Sequence, residues 1–332
     1  MATLRDVAKL AHVDTSTVSR ALNNSSYVHP ATKERILKAV EKLSYRPNLI
    51  ARGLREGKRQ TLGLIIPSMQ LTIYNDLARV IEQNALTKVY HVITCLTDDN
   101  PVVEEESLER IRNGFVDGII IASTGGNRRL LRDIQASGLP IMQLMRKHDK
   151  LLNCSIANYS QAATIGTQYL IDHGCRYIGF INGPRILSPY ADRYEGYHQL
   201  MSDNNLIEYV KELPSINESY FEFGLNATDE LLKSCPKIDG VLVANDTVGM
   251  GVLRKLKKMN IDVPNQIKVI SLTGYSIGDM LETTLSSVDL PLEKIGIGAL
   301  TRLLEDIEHP EKNPGEIEHD IYATKLTIRE SC

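Results

Sequence analysis

Residues 3–23 read TLRDVAKLAHVDTSTVSRALN, a pattern of two short amphipathic helices joined by a tight turn. Thr3 can cap a first helix over Leu4–Ala11, because its hydroxyl oxygen can accept a hydrogen bond from a free N–H of the first turn. A turn at residues 12–14 follows. The next apolar residues recur at helical spacing and predict a second helix over Thr15–Asn23.

A third helix is predicted over Pro30–Leu43, since proline favours the first helical position. Two short helices braced by a third predict a helix-turn-helix, whose second helix enters the major groove of DNA. That helix carries Thr15, Ser16 and Arg20. Short hydroxyl side chains can approach phosphates and base edges, and an arginine can bond guanine through two parallel hydrogen bonds.

Residues 3–23, together with LSYRPNLIARGL at 43–54, closely resemble the LacI-type (lactose/purine repressor) family of transcription regulators. The resemblance implies that Thr15, Ser16 and Arg20 read bases. It implies contacts with the DNA backbone from Thr3, Thr17, Ser19, Asn23, Tyr45 and Asn48. His12 departs from the family, which usually has glycine in this turn, so we expect a left-handed and slightly strained backbone there.

The segment Asn48–Glu56, NLIARGLRE, is predicted to be a short helix that is stable only against a partner and DNA. Isolated helices of this length are marginal in water. In the family, paired hinge helices enter the minor groove and wedge a leucine between base pairs, a known way of kinking DNA. Leu54 matches that leucine, and Ala51 would allow close approach. A flexible basic linker is the alternative.

The charge is unevenly distributed along the chain. Residues 1–60 hold 12 Lys and Arg against 5 Asp and Glu, whereas the remainder holds 26 against 36. A basic module on an acidic body is typical of a DNA-binding head on a separate core.

Composition excludes several other classes of protein. No run of apolar residues is long enough to span a membrane, and the N-terminus lacks the apolar stretch of a signal peptide. The five cysteines are dispersed without a CxxC pair, and the histidines show no metal-ligand spacing. We therefore expect reduced thiols, a cytoplasmic location, and neither metal nor cofactor.

From residue 61 onward, short apolar runs alternate with helical patterns, which predicts doubly wound parallel sheets. The predicted strands are LGLIIP (62–67), HVITCL (91–96), DGIIIAS (117–123), PIMQLM (140–145), YIGFING (177–183), DGVLVAN (239–245) and KVISLT (268–273). Two of these motifs recur in the second half: Val116–Ala122 resembles Ile238–Ala244, and LGLIIPS resembles IGFINGP. The repetition predicts two related lobes with a ligand crevice at the carboxyl ends of their strands.

This organisation agrees with the periplasmic-binding-protein-like core of the LacI-type family. We expect a small all-α helix-turn-helix head at 1–46, a hinge helix and linker at 47–60, and an effector-binding and dimerisation core at 61–332. Lobe 1 is predicted at about 61–159 and 290–318, and lobe 2 at about 160–289 and 319–330.

The family resemblance also suggests effector-binding residues. Arg193 lies in a segment, DRYEG, similar to the one whose arginine clamps the effector in the family. Asn245 follows a predicted strand, while Asp246 is equally suited to capping the next helix. Tyr74 matches a stacking position. The remaining candidates are Ser276, which stands where many relatives carry aspartate, and Arg146, which follows Met145 at the other position where relatives usually carry aspartate.

Two carboxylates of the family pattern are thus missing while Arg146 and Arg193 are present. The sequence therefore suggests, as a hypothesis, a phosphorylated sugar or sugar acid as effector rather than a neutral sugar. Whether the effector induces or corepresses is left open.

Two rival functions remain at this stage. Residues 274–278, GYSIG, match the GxSxG motif of hydrolases and would make Ser276 a nucleophile, with His309 or His319 as its base. The second rival is a catabolite-control regulator whose corepressor is a phosphoprotein. The favoured interpretation is a homodimeric repressor, without a tetramerising heptad tail, that binds a pseudo-palindromic operator and a carbohydrate-derived effector.

Overall fold

The computed structural model describes residues 2–23, 27–45, 58–69, 71–113, 115–214, 218–310 and 317–332. Its contacts divide the chain into two units between Arg59 and Gln60.

The head is a three-helix unit. Its helices are α1 (Leu4–Ala11), α2 (Thr15–Asn23) and α3 (Pro30–Lys42). The first two coincide with the predicted bounds, and the third ends one residue earlier than expected. Val7, Val18 and Ile36 are completely buried where the helices meet. The apolar spacing of the sequence therefore produces a small core of its own.

The core contains two sheets, each with six strands in the described part of the chain. Sheet 1 has the order β11-β5-β4-β3-β1-β2. Its strands are β1 (Thr61–Ile66), β2 (His91–Leu96), β3 (Gly118–Ile121), β4 (Ile141–Leu144), β5 (Asn153–Ala157) and β11 (His319–Tyr322). Sheet 2 has the order β12-β10-β9-β8-β6-β7. Its strands are β6 (Ile178–Asn182), β7 (Tyr209–Glu212), β8 (Gly240–Val243), β9 (Lys268–Ser271), β10 (Ser286–Asp289) and β12 (Lys325–Thr327).

Helices cover the sheets and bury their apolar side chains. They are α4 (Thr72–Thr87), α5 (Pro101–Arg112), α6 (Arg128–Ala136), α7 (Tyr159–Asp172), α8 (Ser188–Asp203), α9 (Tyr220–Ser234), α10 (Asp246–Lys258) and α11 (Leu292–Glu308). A short 3₁₀ helix spans Ser276–Met280. Among the described residues, none of the helices combines the length and apolar character needed to cross a bilayer.

The internal repetition of the sequence corresponds to equivalent strands. β3 and β8 occupy the same place in their sheets, as do β1 and β6. All the pairings along β2, β1, β3, β4 and β5, and along β7, β6, β8 and β9, are parallel. The prediction of two related, doubly wound lobes is confirmed.

The predicted assignment of 319–330 to lobe 2 is wrong in its first part. β11 (His319–Tyr322) pairs in parallel with β5 in sheet 1. The chain then crosses, and β12 (Lys325–Thr327) pairs with β10 in sheet 2. The final crossing therefore lies between Tyr322 and Lys325, because the hydrogen-bonding edge of β5 takes up this strand.

Candidate nucleic-acid interface and effector cleft

Helix α2 presents a polar face to solvent. Thr15, Ser16 and Arg20 are exposed, whereas Val18 and Ala21 on the other face are buried. Arg20 Nη2 donates a hydrogen bond to Ser16 Oγ at 3.4 Å. The three polar side chains can therefore contact the same part of a DNA groove.

The N-terminus of α1 is capped as predicted. Asp6 N donates to Thr3 Oγ1 at 3.3 Å, and Thr3 N donates to Asp6 Oδ2 at 2.8 Å. These bonds lower the pKa of Asp6 below its usual value. His12 has φ 51° and ψ 51°, the left-handed conformation expected from the departure at this turn.

The other residues predicted to contact DNA differ in their solvent exposure. Thr3 is exposed, Thr17 and Ser19 are half-buried, and Tyr45 is half-buried against the apolar core of the head. Asn23 is the last residue of α2. Three further predicted positions lie outside the described residues: Asn48, Ala51 and Leu54.

Between the two lobes of the core lies a small space that we call the inner cavity. It is lined by Leu71, Ile73, Tyr74, Met145, Arg146, Tyr159, Pro189, Tyr190, Arg193, Asn245, Thr273 and Tyr275. Arg146 follows β4 and Asn245 follows β8, so the cavity lies at the carboxyl ends of the strands, as expected for this architecture. Its volume is about 30 Å³.

A second space, the outer cavity, opens beside the first. It is lined by Pro67, Ser68, Leu71, Asp98, Asp99, Glu218, Ser219, Tyr220, Phe221 and Thr247, and its volume is about 500 Å³. Leu71 lines both cavities. The Tyr190 and Tyr220 hydroxyls, one from each cavity, lie 3.3 Å apart.

Arg193 is a buried cation inside the inner cavity, only 3% exposed. Its Nη2 donates to the carbonyl oxygen of Leu272 at 3.1 Å. The guanidinium lies over the rings of Tyr159 and Tyr190, at 4.8 and 5.6 Å from their centroids. Its Nε has no hydrogen-bond partner among the described residues.

Arg146 is equally buried but is paired. Its Nη2 lies 2.9 Å from Asp99 Oδ2, and its Nη1 bonds Asp99 Oδ1. Its guanidinium carbon is 5.8 Å from the centroid of the Tyr74 ring. Burial raises the pKa of the Tyr74 hydroxyl, so the ring stays protonated and neutral. The sequence did not single out Asp99, although it is the group that decides the charge of this site.

Asn245, rather than Asp246, caps α10. Asn245 Oδ1 accepts from Val248 N at 3.0 Å, while its Nδ2 is buried without a partner among the described residues. Asp246 instead accepts hydrogen bonds from Tyr275 N at 3.0 Å and from the Thr273 hydroxyl. Burial raises the pKa of Asp246.

Comparison with known proteins places both parts of the chain in one family. The family model described as "Bacterial regulatory proteins, lacI family" matches residues 3–48, and the model described as "Periplasmic binding protein-like domain" matches residues 167–332. The ribose operon repressor of Halalkalibacterium halodurans is 30% identical over 331 residues, covering 100% of this chain and 97% of that protein. The chain belongs to the LacI family.

A second curated protein and two solved structures are also similar to this LacI-family chain. Catabolite control protein A of Staphylococcus epidermidis is 32% identical over 93% of this chain and 94% of that protein. The solved lac repressor dimer bound to operator and the anti-inducer ONPF has a TM-score of 0.87 at 20% identity, covering 99% and 98% of the two chains. A solved regulator from Alkaliphilus metalliredigens QYMF, complexed with D-xylulofuranose, has a TM-score of 0.72 at 25% identity, covering 82% of this chain and 98% of that one.

The LacI-family chain is thus a DNA-binding transcription regulator and not an enzyme. Ser276, the nucleophile of the hydrolase alternative, is exposed at the start of the 3₁₀ helix. Its φ is not positive, unlike the strained turn that this motif forms in hydrolases. Across the described residues, no group of three His, Cys, Asp or Glu side chains could hold a metal ion.

Of the six effector residues expected in this LacI-family chain, four line the inner cavity: Tyr74, Arg146, Arg193 and Asn245. Asp246 and Ser276 do not. The sequence reasoning overlooked Tyr159, Tyr190, Thr273 and Tyr275, because an isolated tyrosine or threonine gives no signal of its own. The Gly274-Tyr275 pair could have drawn attention to Tyr275 instead of to the serine after it.

Proposed function

We propose that this protein is an operator-binding repressor of a carbohydrate operon, and that a small carbohydrate-derived effector in the inner cavity controls its affinity for DNA. The observation that carries the proposal is the pair of buried, unpartnered N–H groups on Arg193 and Asn245. Buried donors without acceptors are costly, so such groups mark a place built for a polar ligand. The ribose operon repressor and the sucrose operon repressor of Pediococcus pentosaceus, 30% identical, support a sugar-related operon.

DNA recognition is assigned to the head. Thr15, Ser16 and Arg20 would contact base edges from the exposed face of α2, while Thr3, Thr17, Ser19, Asn23, Tyr45 and Asn48 would hold the DNA backbone. Ala51 and Leu54 are proposed to enter the minor groove together with the hinge of a second copy.

A homodimer would supply that second copy. The outer strand β2 leaves Ile93 and Leu96 about half exposed, at 44% and 46%, and the neighbouring Leu86 and Val89 are 52% and 64% exposed. An open, apolar sheet edge favours association unless it is covered. We propose that a second copy covers it, so that two heads reach the two halves of a pseudo-palindromic site in the cytoplasm.

Effector binding would act on the contacts between the lobes. Lys147 N, which follows β4 in lobe 1, donates to Ser188 Oγ at the start of α8 in lobe 2, at 3.2 Å. Tyr275 of lobe 2 packs into the apolar core of lobe 1. A ligand that prefers one arrangement of the lobes shifts the population towards it, and coupling to DNA of about 1–3 kcal/mol is typical.

Fluorescence anisotropy with operator fragments from upstream of neighbouring sugar-utilisation genes tests the proposal. We expect salt-sensitive binding to a symmetric site and a change in affinity, of either sign, when a sugar-class metabolite is added. Absence of preference for any symmetric site would contradict the assignment. The phosphoprotein alternative is not adopted, because the unpartnered donors of the inner cavity favour a small-molecule effector.

A further inference from the structure

Two buried hydrogen-bond donors that lack partners in the described part of the chain line the inner cavity. Arg193 Nε and Asn245 Nδ2 are both N–H groups, both belong to side chains that are 3% exposed, and neither has a partner among the described residues. The acceptor atom of Asn245 is already used in capping α10. A ligand that fills this space must therefore bring acceptor atoms to these two residues.

The charge of the residues around the inner cavity also favours a ligand that brings acceptor atoms. Among the described residues, no carboxylate lies within ion-pair distance of Arg193, and none lines the inner cavity. The charge of Arg146 is balanced by Asp99. The nearby carboxylate of Asp246 is held by Thr273 and Tyr275. The adjacent carboxylate of Asp192 interacts with Arg193 at longer range but forms no ion pair with it, so within the described part of the chain the buried guanidinium lacks a direct anionic partner, which a ligand anion would supply.

The small volume of the inner cavity favours a carboxylate over a larger phosphoryl group. A volume of about 30 Å³ holds about two water-sized groups, since each needs about 10–15 Å³. A carboxylate presents two oxygens in a plane, which an arginine can bind through parallel hydrogen bonds. A phosphoryl group adds a third terminal oxygen and needs more room.

The outer cavity suits the rest of such a ligand. It has a volume of about 500 Å³, and its lining includes the oxygen-bearing side chains of Ser68, Asp98, Glu218 and Ser219. Carboxylates accept hydrogen bonds from hydroxyl groups. Because Leu71 lines both cavities, the two spaces are neighbours, and a ligand anchored in the inner cavity would extend towards the outer one.

We propose that the effector is a sugar acid, a polyhydroxylated monocarboxylate whose carboxylate binds Arg193 and Asn245 while its hydroxylated part lies in the outer cavity. The inference rests on the proposed function, since it names the class of that effector. A sugar acid differs from ribose and sucrose, the neutral sugars that appear in the names of two relatives.

Isothermal titration of the full-length protein tests the ligand class. The probes are D-gluconate, D-glucuronate and D-galacturonate, with D-glucitol, D-glucose and D-galactose as neutral counterparts and D-glucose 6-phosphate as the phosphorylated one. We expect at least one acid to bind at least tenfold more tightly than its neutral counterpart and than the sugar phosphate.

Two variants locate the carboxylate. Asn245→Asp keeps an oxygen for the cap of α10 but replaces the N–H donor by an anionic oxygen, so binding of the acid should fall at least tenfold while the melting temperature stays close to that of the parent. Arg193→Gln should cause a similar loss. Arg185→Gln is the matched control, because Arg185 lies on the same lobe, pairs with Glu212 and does not line either cavity.

Three results overturn the inference: tightest binding by a neutral sugar or by the sugar phosphate, unchanged acid binding by Asn245→Asp, or binding of none of the probes. Operator binding is measured in parallel by anisotropy. If the protein binds a symmetric operator while the acids fail, the ligand class is wrong and the repressor function stands. If no symmetric operator is bound, the proposed function itself fails.

Discussion

Asp99 and Arg146 form a two-bond ion pair inside lobe 1, with side chains 7% and 4% exposed. Nη2 of Arg146 lies 2.9 Å from Asp99 Oδ2. Arg146 lines the inner cavity and Asp99 lines the outer one, so the pair lies between them. Asp99 therefore neutralises Arg146, a cation that the sequence alone suggests is free to bind an anionic ligand.

Replacing Asp99 by Asn should destabilise the protein strongly. Removing one partner of a buried ion pair leaves an uncompensated charge and costs about 3–5 kcal/mol. Urea denaturation followed by circular dichroism measures this loss. The double variant D99N/R146M should recover much of it. If the double variant is as unstable as D99N, the unpaired charge of Arg146 is not the source of the loss.

Replacing Arg20 by Ala should weaken discrimination between operator and mutated operator by about 1–3 kcal/mol, since one arginine–guanine contact contributes this much. Competition anisotropy with single-base operator variants measures the change. Arg129→Ala, a control whose side chain is 96% exposed on the core helix α6, should bind like the parent. Equal loss on all sequences would instead assign Arg20 to the phosphate backbone.

Replacing Gly196 by Ala should destabilise the lobe that holds Arg193. An added Cβ would lie 2.2 Å from the carbonyl oxygen of Ser160, so α8 could no longer approach α7 as closely. Overpacking of this kind costs about 1–3 kcal/mol. Thermal denaturation measures it, with Ser202→Ala at an exposed position of α8 as the control. A melting temperature equal to the control's would rule out the close contact.

Acidification should destabilise the protein in part through His148. Burial, reinforced by Arg146, lowers the pKa of His148 to about 4. The unfolded histidine, with a pKa of about 6.5, binds a proton that the folded one resists, so stability is lost as pH falls from about 6.5 towards 4. Because the ring is partly exposed, we expect only about 1 kcal/mol from this residue. His148→Asn should therefore show a smaller loss of melting temperature between pH 7 and pH 5 than the parent, and an identical loss would contradict the assignment.

Local pattern was sufficient to predict much of the architecture. Interactions between near neighbours along the chain account for the bounds of α1 and α2 and for the left-handed conformation of His12. They also account for the predicted parallel strands with apolar sequences, β1, β2, β3, β4, β6, β8 and β9. The strands β5, β7, β10, β11 and β12 were not among the apolar strands predicted. In β5 and β10 the polar side chains of Asn153, Ser155 and Ser286 are buried, which hydrophobic periodicity does not reveal. Ser155 is satisfied by the carbonyl oxygen of Ile295, a partner far away in the chain.

The composition of the binding site shows the same division. Residue types and motifs pointed to Tyr74, Arg146, Arg193 and Asn245, because these positions follow recognisable strands or family segments. Only the folded structure places Asp99 in contact with Arg146. It also makes Asn245 the cap of α10 while the side-chain N–H of Asn245 stays without a partner among the described residues. Asp246 instead forms hydrogen bonds with Thr273 and Tyr275. Charge balance and unpaired donors depend on distances between residues remote in sequence, and those distances exist only in the folded chain.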